Sequence, residues 1–436
     1  MLLFRRYPTD PKLGPFVQNA SLIWCALSNW GGAVVLGGDL TLALTEARAA
    51  IASESPRTVG VGLTPEGIDN SNAYFSIVLD APWEEVNAPI DDDRHVDILK
   101  GGETTAAATL SSHTVTSTTK NLFSAEEWFV EWGHGRCGRS DVTAAEQAYA
   151  KLYRTVYRPK AGYLWCCSQP YYCPTMLPTE DDKKKAYRPT WNATELRAAL
   201  ALMVKAAPLC NTSTFLFDLV DVAREWLSST PCLTALDAVN MTVRHTAPAT
   251  FKAQVKAFRD VQADIDAMMA SDPGKGFLLG EWLKQSRAVA DWDGSNTTLA
   301  DFYEWNSRIQ ITSWAGGYSR REWSGVGTSC AVSFSSLIVC SPRDCSRTHS
   351  RHFVCESLLL SFFFFFFFFL IVDQYYGGRV DAWAACGLDP TCTSMNDAVN
   401  EFSSRWVNET WDPVKLPATP VGDPVALAKR LLKKYS

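Results

Sequence analysis

Apolar positions change rhythm along the chain. Near the start they come in short unbroken runs, Leu22-Ile23-Trp24-Cys25-Ala26-Leu27 and, after Pro56, Thr58-Val59-Gly60-Val61-Gly62-Leu63. Runs of this length without alternation predict strands buried on both faces, as in a parallel sheet. Between them the polar turn Ser28-Asn29-Trp30-Gly31-Gly32 precedes a predicted helix from Gly38-Asp39 to Ala52. Leu40, Leu42, Ala43 and Ala47 are assigned to its buried face and Asp39 to its N-cap. The spacing fits one strand–helix–strand unit. Gly60 and Gly62 would weaken a strand unless something packs close to them, so a crowded sheet is expected.

From about Ser124 the period becomes helical. Segments 142–157, 215–227, 251–269, 277–289, 299–311, 395–407 and 424–434 each predict a helix, with Ser140 leading into the first. Another follows Thr194, with Leu196, Ala199, Leu200 and Met203 at i, i+3, i+4 and i+7. The fold class is therefore α/β followed by an all-α domain, with no internal repeat.

Two segments break the pattern. Residues 99–120 are rich in Gly, Thr, Ser and Ala, lack periodicity, and read as a surface insertion. Residues 358–372 include eight consecutive phenylalanines, 362–369. That stretch is shorter than the ~20 residues that cross a bilayer, and Glu356 and Asp373 bracket it. Neither helical nor strand periodicity can bury eight successive Phe. Phenylalanine codons are TTT and TTC, so the run has the form of a translated pyrimidine tract before a splice acceptor. On this reading 326–372 is a translated intron; a membrane anchor is the alternative.

Composition adds bounds. The 436 residues suffice for two or three domains, and 47% apolar with 20% charged residues excludes wholesale disorder. A net charge of −6, mixed in sign along the chain, argues against a nucleic-acid binder. Thirteen cysteines lack the paired spacing of a metal module, so no metal and no cofactor is expected. One or two disulfides are expected instead, for instance Cys166 with Cys173 or Cys386 with Cys392. Asn19, Asn192, Asn211, Asn240, Asn296 and Asn408 each open an N-x-Ser/Thr sequon, which points to the secretory route. Yet Met1-Leu2-Leu3-Phe4-Arg5-Arg6 begins no signal peptide. Either the protein is cytosolic or its true start lies upstream.

Candidate chemistry centres on Glu66, which follows a predicted buried strand between Pro65 and Gly67. A carboxylate there, near Asn29, Asn70, Trp24 and Trp30, suits glycosidic chemistry, because a negative oxygen can trap an oxocarbenium-like centre while aromatic faces hold the sugar. The competing reading is a solvated loop glutamate and aromatics that merely fill core.

Longer motifs weigh on that choice. Ile23-Trp24-Cys25-x-Leu27-x-Asn29-Trp30-Gly31-Gly32, then Gly38-Asp39-Leu40, then Val61-Gly62-Leu63-Thr64-Pro65-Glu66-Gly67-Ile68 resemble the α-N-acetylglucosaminidases of glycoside hydrolase family 89. So do Phe277-Leu278-Leu279-Gly280-x-Trp282-Leu283-x-Gln285-x-Arg287 and Asp301-Phe302-Tyr303-Glu304-x-Asn306-Ser307-Arg308-x-Gln310-x-Thr312-x-Trp314. Gly422-Asp423 through Tyr435 resembles the family's C-terminus. The resemblance implies a C-terminal fragment of a (β/α)8 barrel (1–95), a low-complexity insertion (96–123), and an all-α domain in two parts (124–325 and 373–436) around the intron-like 326–372. In the family, Tyr375-Tyr376 would follow Trp323-Ser324-Gly325 almost directly.

The implied activity is a retaining exo-glycoside hydrolase that removes terminal α-linked N-acetylglucosamine, as in lysosomal heparan sulfate breakdown. By motif Glu66 is the nucleophile, Trp24 and Asn29 line the sugar pocket, and Trp314 reaches it from the helical domain. Arg136 and Arg308 are expected to brace the two domains. The family's acid/base glutamate lies upstream of the Trp24 motif, and the first 23 residues contain no glutamate. The chain as written is therefore expected to be inactive, its full-length parent lysosomal or secreted. The implied partner is the terminal N-acetylglucosamine of glycans; neither nucleic acid nor membrane is expected, and homo-oligomerisation stays open. The alternative is a non-catalytic carbohydrate-binding or interaction fragment.

Overall fold

The computed structural model describes residues 2–4, 21–28, 36–52, 58–65, 71–83, 124–157, 173, 177, 191–242, 247–290, 297–312, 372–410 and 412–436. Three parallel strands, β1 (Leu2–Phe4), β2 (Leu22–Ser28) and β3 (Thr58–Pro65), form a sheet in the order β1-β2-β3. Both unbroken apolar runs become strands, but β3 is not buried on both faces as expected: Val59 is 64% exposed, and Val61 and Leu63 are half-buried. Trp24 pairs with Leu3 on one side and Val61 on the other, and Ser28 lies opposite Pro65. Crowding is real at Gly62, where a Cβ would sit 3.0 Å from Cys25 Sγ. At Gly60 it is not: nothing lies within 4 Å, so that glycine answers to no close packing among the described residues.

Helix α1 (Leu40–Ala52) links β2 to β3. Asp39 Oδ1 accepts from Leu42 N at 2.9 Å, the expected cap. Its buried face is Leu40, Ala43, Leu44 and Ala47; Leu42 is only half-buried. The correction follows from geometry, since 40, 43, 44 and 47 share one stripe and 42 stands off it. After β3 comes a helix the pattern does not announce, α2 (Asn72–Asp80), whose Ser71 cap accepts from Tyr74 N at 3.3 Å.

The helical half comprises α3 (Ala125–Cys137), α4 (Thr143–Leu152), α5 (Ala193–Ala206), α6 (Ser213–Leu227), α7 (Leu233–Thr242), α8 (Pro248–Ala270), α9 (Leu279–Ala290), α10 (Thr297–Thr312), α11 (Gly378–Leu388), α12 (Met395–Val407) and α13 (Pro424–Lys434). The α5 stripe of Leu196, Ala199, Leu200 and Met203 is wholly buried, and its cap is Asn192, whose Oδ1 accepts from Thr194 N. Helix α4 starts at Thr143 with Val142 at its N-cap, one residue inside the expected 142, and it runs into a π-helical turn, Tyr153–Tyr157. A second π turn, Ser228–Cys232, joins α6 to α7 at Pro231, which has no N–H to give the regular ladder.

One apolar cluster runs from Leu40, Ala47 and Ile77 of the α/β part through Phe129 and Tyr149 to Leu200 and Phe258. The sheet unit and the helices therefore share a core. A second cluster joins Leu279, Trp282 and Leu283 to Tyr375, Tyr376 and Trp406, so the stretches either side of 313–371 pack together. Val372, assigned by its sequence to the intron-like segment, is itself buried in the larger cluster. The rest of that segment and the low-complexity 99–120 lie outside the described residues. Among the described residues no helix is long and apolar enough to cross a membrane.

Among the described residues, three disulfides close the helical half. Cys386–Cys392 is the expected pair. Cys173 bonds Cys232 and not Cys166, with Cα atoms 6.1 Å apart, and Cys137 bonds Cys210 at 4.5 Å. Sequence proximity misled in the first case because partner choice follows the packed Cα distance.

Candidate functional site

The two motif-bearing strands finish at one edge, with Ser28 paired to Pro65. Asn29 and Glu66 are the next residues of the chain, and both lie outside the described residues. So do Trp30, Asn70 and Trp314, the last two residues beyond α10. Of the proposed sugar-pocket residues only Trp24 is described. It sits mid-strand, half-buried, packed against the main core together with Val61 and Leu63.

The helical half meets the α/β unit through the segment that enters α1. Leu36 N donates to Glu225 Oε2 at 3.2 Å, a buried bond between residues 189 apart in sequence. Gly38 N donates to the Val156 carbonyl at 3.3 Å. Gly37 and Gly38 have φ of 143° and 135°, and a Cβ on Gly37 would come within 2.7 Å of Val156 O, so glycine is required at this contact. Nearby, the hydroxyls of Thr41 and Tyr153 lie 2.7 Å apart, Ser71 Oγ donates to the Tyr157 hydroxyl at 3.5 Å, and Trp128 Nε1 donates to Asp80 Oδ2 at 3.0 Å.

Behind that contact, α6 carries Asp218, Asp221, Arg224 and Glu225. Arg136 of α3 donates through Nε to Asp218 Oδ2 at 2.8 Å, and the Tyr149 hydroxyl donates to the same oxygen at 2.7 Å. Burial pushes the Asp218 carboxyl above its ordinary range despite those donors, which favour the charged form. Burial likewise pushes Glu225 up to about 7, against the Arg224 charge and the Leu36 N–H. Burial raises the phenols of Tyr149 and Tyr157 too, so both stay protonated. Their neighbour is a cavity of ≈ 20 Å³ lined by Leu36, Ser71, Trp132, Tyr157 and Asp221. Sugar-sized ligands need ~300–1,000 Å³. The cluster is a brace among packed helices rather than a pocket.

Sequence reading missed these groups. Their signal was available in Phe215-Leu216-Phe217-Asp218-Leu219-Val220-Asp221-Val222-Ala223-Arg224-Glu225, where charges at i, i+3 and i+7 form a stripe on an otherwise apolar helix. Among the described residues Arg136 and Arg308, expected to bridge the two parts, do not do so. Arg136 ties α3 to α6, and Arg308 pairs with Glu304 at 3.1 Å while its guanidinium lies 4.7 Å over the Trp406 ring. All these partners are on helices of one half, so neither arginine reaches the sheet.

The model of the α-N-acetylglucosaminidase C-terminal domain matches residues 128–329, and that of the family's tim-barrel domain matches residues 15–85, between them well over half of the chain. The chain belongs to the α-N-acetylglucosaminidase family. Human α-N-acetylglucosaminidase is 26% identical over 299 residues, which is 68% of this chain and 34% of the human protein. A family 89 glycoside hydrolase from Clostridium perfringens, solved in complex with PUGNAc, superimposes with a TM-score of 0.68 at 17% identity, covering 100% of this chain and 42% of that one. A variant of the clostridial enzyme in complex with its substrate GlcNAc-α-1,4-galactose gives 0.68 at 16% identity, again over 100% and 42%. These likenesses establish the fold. The chain thus spans about a third of the human relative and two fifths of the clostridial one. Its α-N-acetylglucosaminidase relatives are glycoside hydrolases.

Proposed function

We propose that the chain is the C-terminal portion of a retaining exo-glycosidase that removes terminal α-linked N-acetylglucosamine, with β1–β3 as the last strands of a (β/α)8 barrel. The observation that carries the reading is the shared edge: β2 and β3 are parallel and finish at Ser28 and Pro65, and the family motif continues from there into Asn29 and Glu66. Barrel enzymes act on substrate at the C-terminal ends of their strands. Glu66 Oε attacks the anomeric carbon as the bond to the leaving oxygen breaks, and an acid residue protonates that oxygen. Water, deprotonated by the same residue, then displaces Glu66 with overall retention. Asn29 and Trp24 hold the sugar, and Trp314 closes on it from the helical half.

The acid/base partner must stand about 5–5.5 Å from the nucleophile. No glutamate precedes Trp24 in these 436 residues. By themselves they should not turn over. Expressed as written, the chain should release no product from an aryl α-N-acetylglucosaminide; turnover above background ends this part of the reading. Extended upstream through its barrel, the protein should cleave that substrate, and E66Q should abolish cleavage.

Residues 326–371 are proposed to be a translated intron. The packing of Tyr375 and Tyr376 against Leu279 and Trp282 supports it, since the helices before and after behave as one body. A mature transcript that retains the phenylalanine codons would refute it. The three disulfides, with the exposed sequon residues Asn192, Asn211 and Asn408, support passage of the parent protein through the secretory route to a lysosome or the exterior. Heparan sulfate-type glycans are the proposed substrates. Cell fractionation that finds the protein reduced and cytosolic would contradict the location.

A further inference from the structure

We propose that Asn408 carries an N-linked glycan whose first N-acetylglucosamine packs over Phe302 and Trp305. This rests on the passage of the parent protein through the secretory route, and names one acceptor and the surface that its sugar covers. Asn408-Glu409-Thr410 is a complete sequon. It lies where α12 ends: Asn408 is the C-cap, and all three residues are exposed. The Asn408 side chain is held at both of its polar atoms. Nδ2 donates to the Ser404 carbonyl at 2.9 Å, and Oδ1 accepts from Trp305 Nε1 of α10 at 3.1 Å. An amide nitrogen has two N–H groups, so a sugar can replace one while the other keeps its bond to Ser404.

Beside this amide, α10 turns apolar side chains outward. Leu299, Phe302 and Trp305 follow one another in steps of three along one side of the helix. Phe302 is 54% exposed, Leu299 is exposed too, and Trp305 is half-buried. The Phe302 and Trp305 rings have centroids 5.8 Å apart and planes 33° from each other. Adjoining exposed rings of this size mark a surface with an occupant. A pyranose suits it, since its C–H face is apolar while its hydroxyl rim stays in water, and aromatic faces accept that division. The sequon supplies such a ring on a tether, so contact needs no free ligand. Direction agrees as well. The trans preference of a substituted amide sets the sugar's C1 on the Oδ1 side, which is the side where Trp305 donates. The first sugar therefore leaves Asn408 toward the two rings. Attachment takes a polyprenyl-pyrophosphate-linked oligosaccharide as donor. A bond forms between Nδ2 and C1, the C1–O bond to pyrophosphate breaks, the lipid pyrophosphate leaves, and Nδ2 gives up one proton.

The test uses the full chain, directed into the secretory route of a eukaryotic host by an added leader. Glycopeptide mass mapping should find Asn408 occupied. In hydroxyl-radical footprinting, removal of the whole glycan with a peptide:N-glycosidase should raise oxidation of Phe302 and Trp305 several-fold. Trimming to the first sugar with an endoglycosidase should leave most of the protection, because that sugar makes the contact. N408Q and T410A, which keep the other sequons, should match the stripped protein at both rings. An unoccupied Asn408 overturns the proposal, as does oxidation of the two rings that is indifferent to the glycan or that rises fully on trimming alone. If neither variant is secreted, the enzymatic series on the wild type decides. No readout involves cleavage or the natural compartment, so failure here leaves the glycosidase and secretory readings standing. Failure of the secretory reading shows separately, as a reduced and cytosolic parent on fractionation.

Discussion

Replacing Arg136 by alanine isolates what the buried charges between α3 and α6 contribute. The guanidinium gives Asp218 two donors, gives the Thr214 carbonyl a third at 3.0 Å, and lies 4.8 Å over the Trp132 ring. In R136A the Asp218 carboxylate keeps only the Tyr149 hydroxyl among these partners. Side-chain exposures of 15% and 11% leave little solvent to screen the loss. Breaking a buried pair from one side typically costs about 3–5 kcal/mol, and that is the expected loss near pH 7.5. The cost should depend on pH with a definite sign. Asp218 is already raised above its ordinary value, and removal of the favourable charge raises it further. Stability of the variant should therefore fall more steeply than that of the wild type as pH rises from about 4 to 7. At pH 5, nearer to where the raised carboxyl protonates, the deficit should be smaller and tend toward that of lost neutral hydrogen bonds, about 1–2 kcal/mol. Urea unfolding of both proteins at the two pH values, with R136M/D218L as the apolar control, supplies the measurement. The control should recover most of the stability, since an apolar pair leaves no charge stranded. A deficit below about 1 kcal/mol at pH 7.5, or one that does not vary with pH, would refute this account of the brace.

Four further outcomes are expected. Removal of the Cys137–Cys210 link in C137A/C210A, which closes a loop with a separation of 73, should lower stability by about 4 kcal/mol on the loop-entropy estimate, and non-reducing peptide mapping should recover Cys173 with Cys232 rather than Cys166. Leu200→Ala, in the wholly buried α5 stripe, should cost about 2–5 kcal/mol in the same unfolding assay. Gly133→Ala should destabilise by about 1–3 kcal/mol despite the better helix propensity of alanine, because the new Cβ overlaps the Tyr149 ring and displaces the hydroxyl that serves Asp218.

Local rules read much of this fold from sequence. Unbroken apolar runs became β2 and β3, and the stripe of Leu196, Ala199, Leu200 and Met203 became the buried face of α5. Helices α12 and α13 begin and end where their patterns do. What local rules cannot see is partner choice. Cys173 lies seven residues from Cys166 yet bonds Cys232, because the fold and not the spacing brings sulfurs together. Leu42 was assigned to the core of α1 in place of Leu44, a misreading of phase by half a turn. Glu225 could be flagged as a charge on an apolar helix, but its partner is a backbone N–H 189 residues away, which no periodicity encodes. The same holds for Arg136: its charge is visible in sequence, whereas the Asp218 it serves is known only once α3 and α6 are packed.

On the proposed function, the edge where β2 and β3 finish leads into a nucleophilic carboxylate, Glu66, that attacks the anomeric carbon of an α-linked N-acetylglucosamine. The most direct test of this claim is covalent trapping on the chain extended through its upstream barrel, with 5-fluoro-α-N-acetylglucosaminyl fluoride as a reagent whose second step is slow. Peptide mass mapping should place one sugar on Glu66, in the tryptic peptide that contains Pro65-Glu66-Gly67, and E66Q should remain unlabelled. A sugar on any other residue, or cleavage of an ordinary substrate with inversion at the anomeric carbon, would contradict the account.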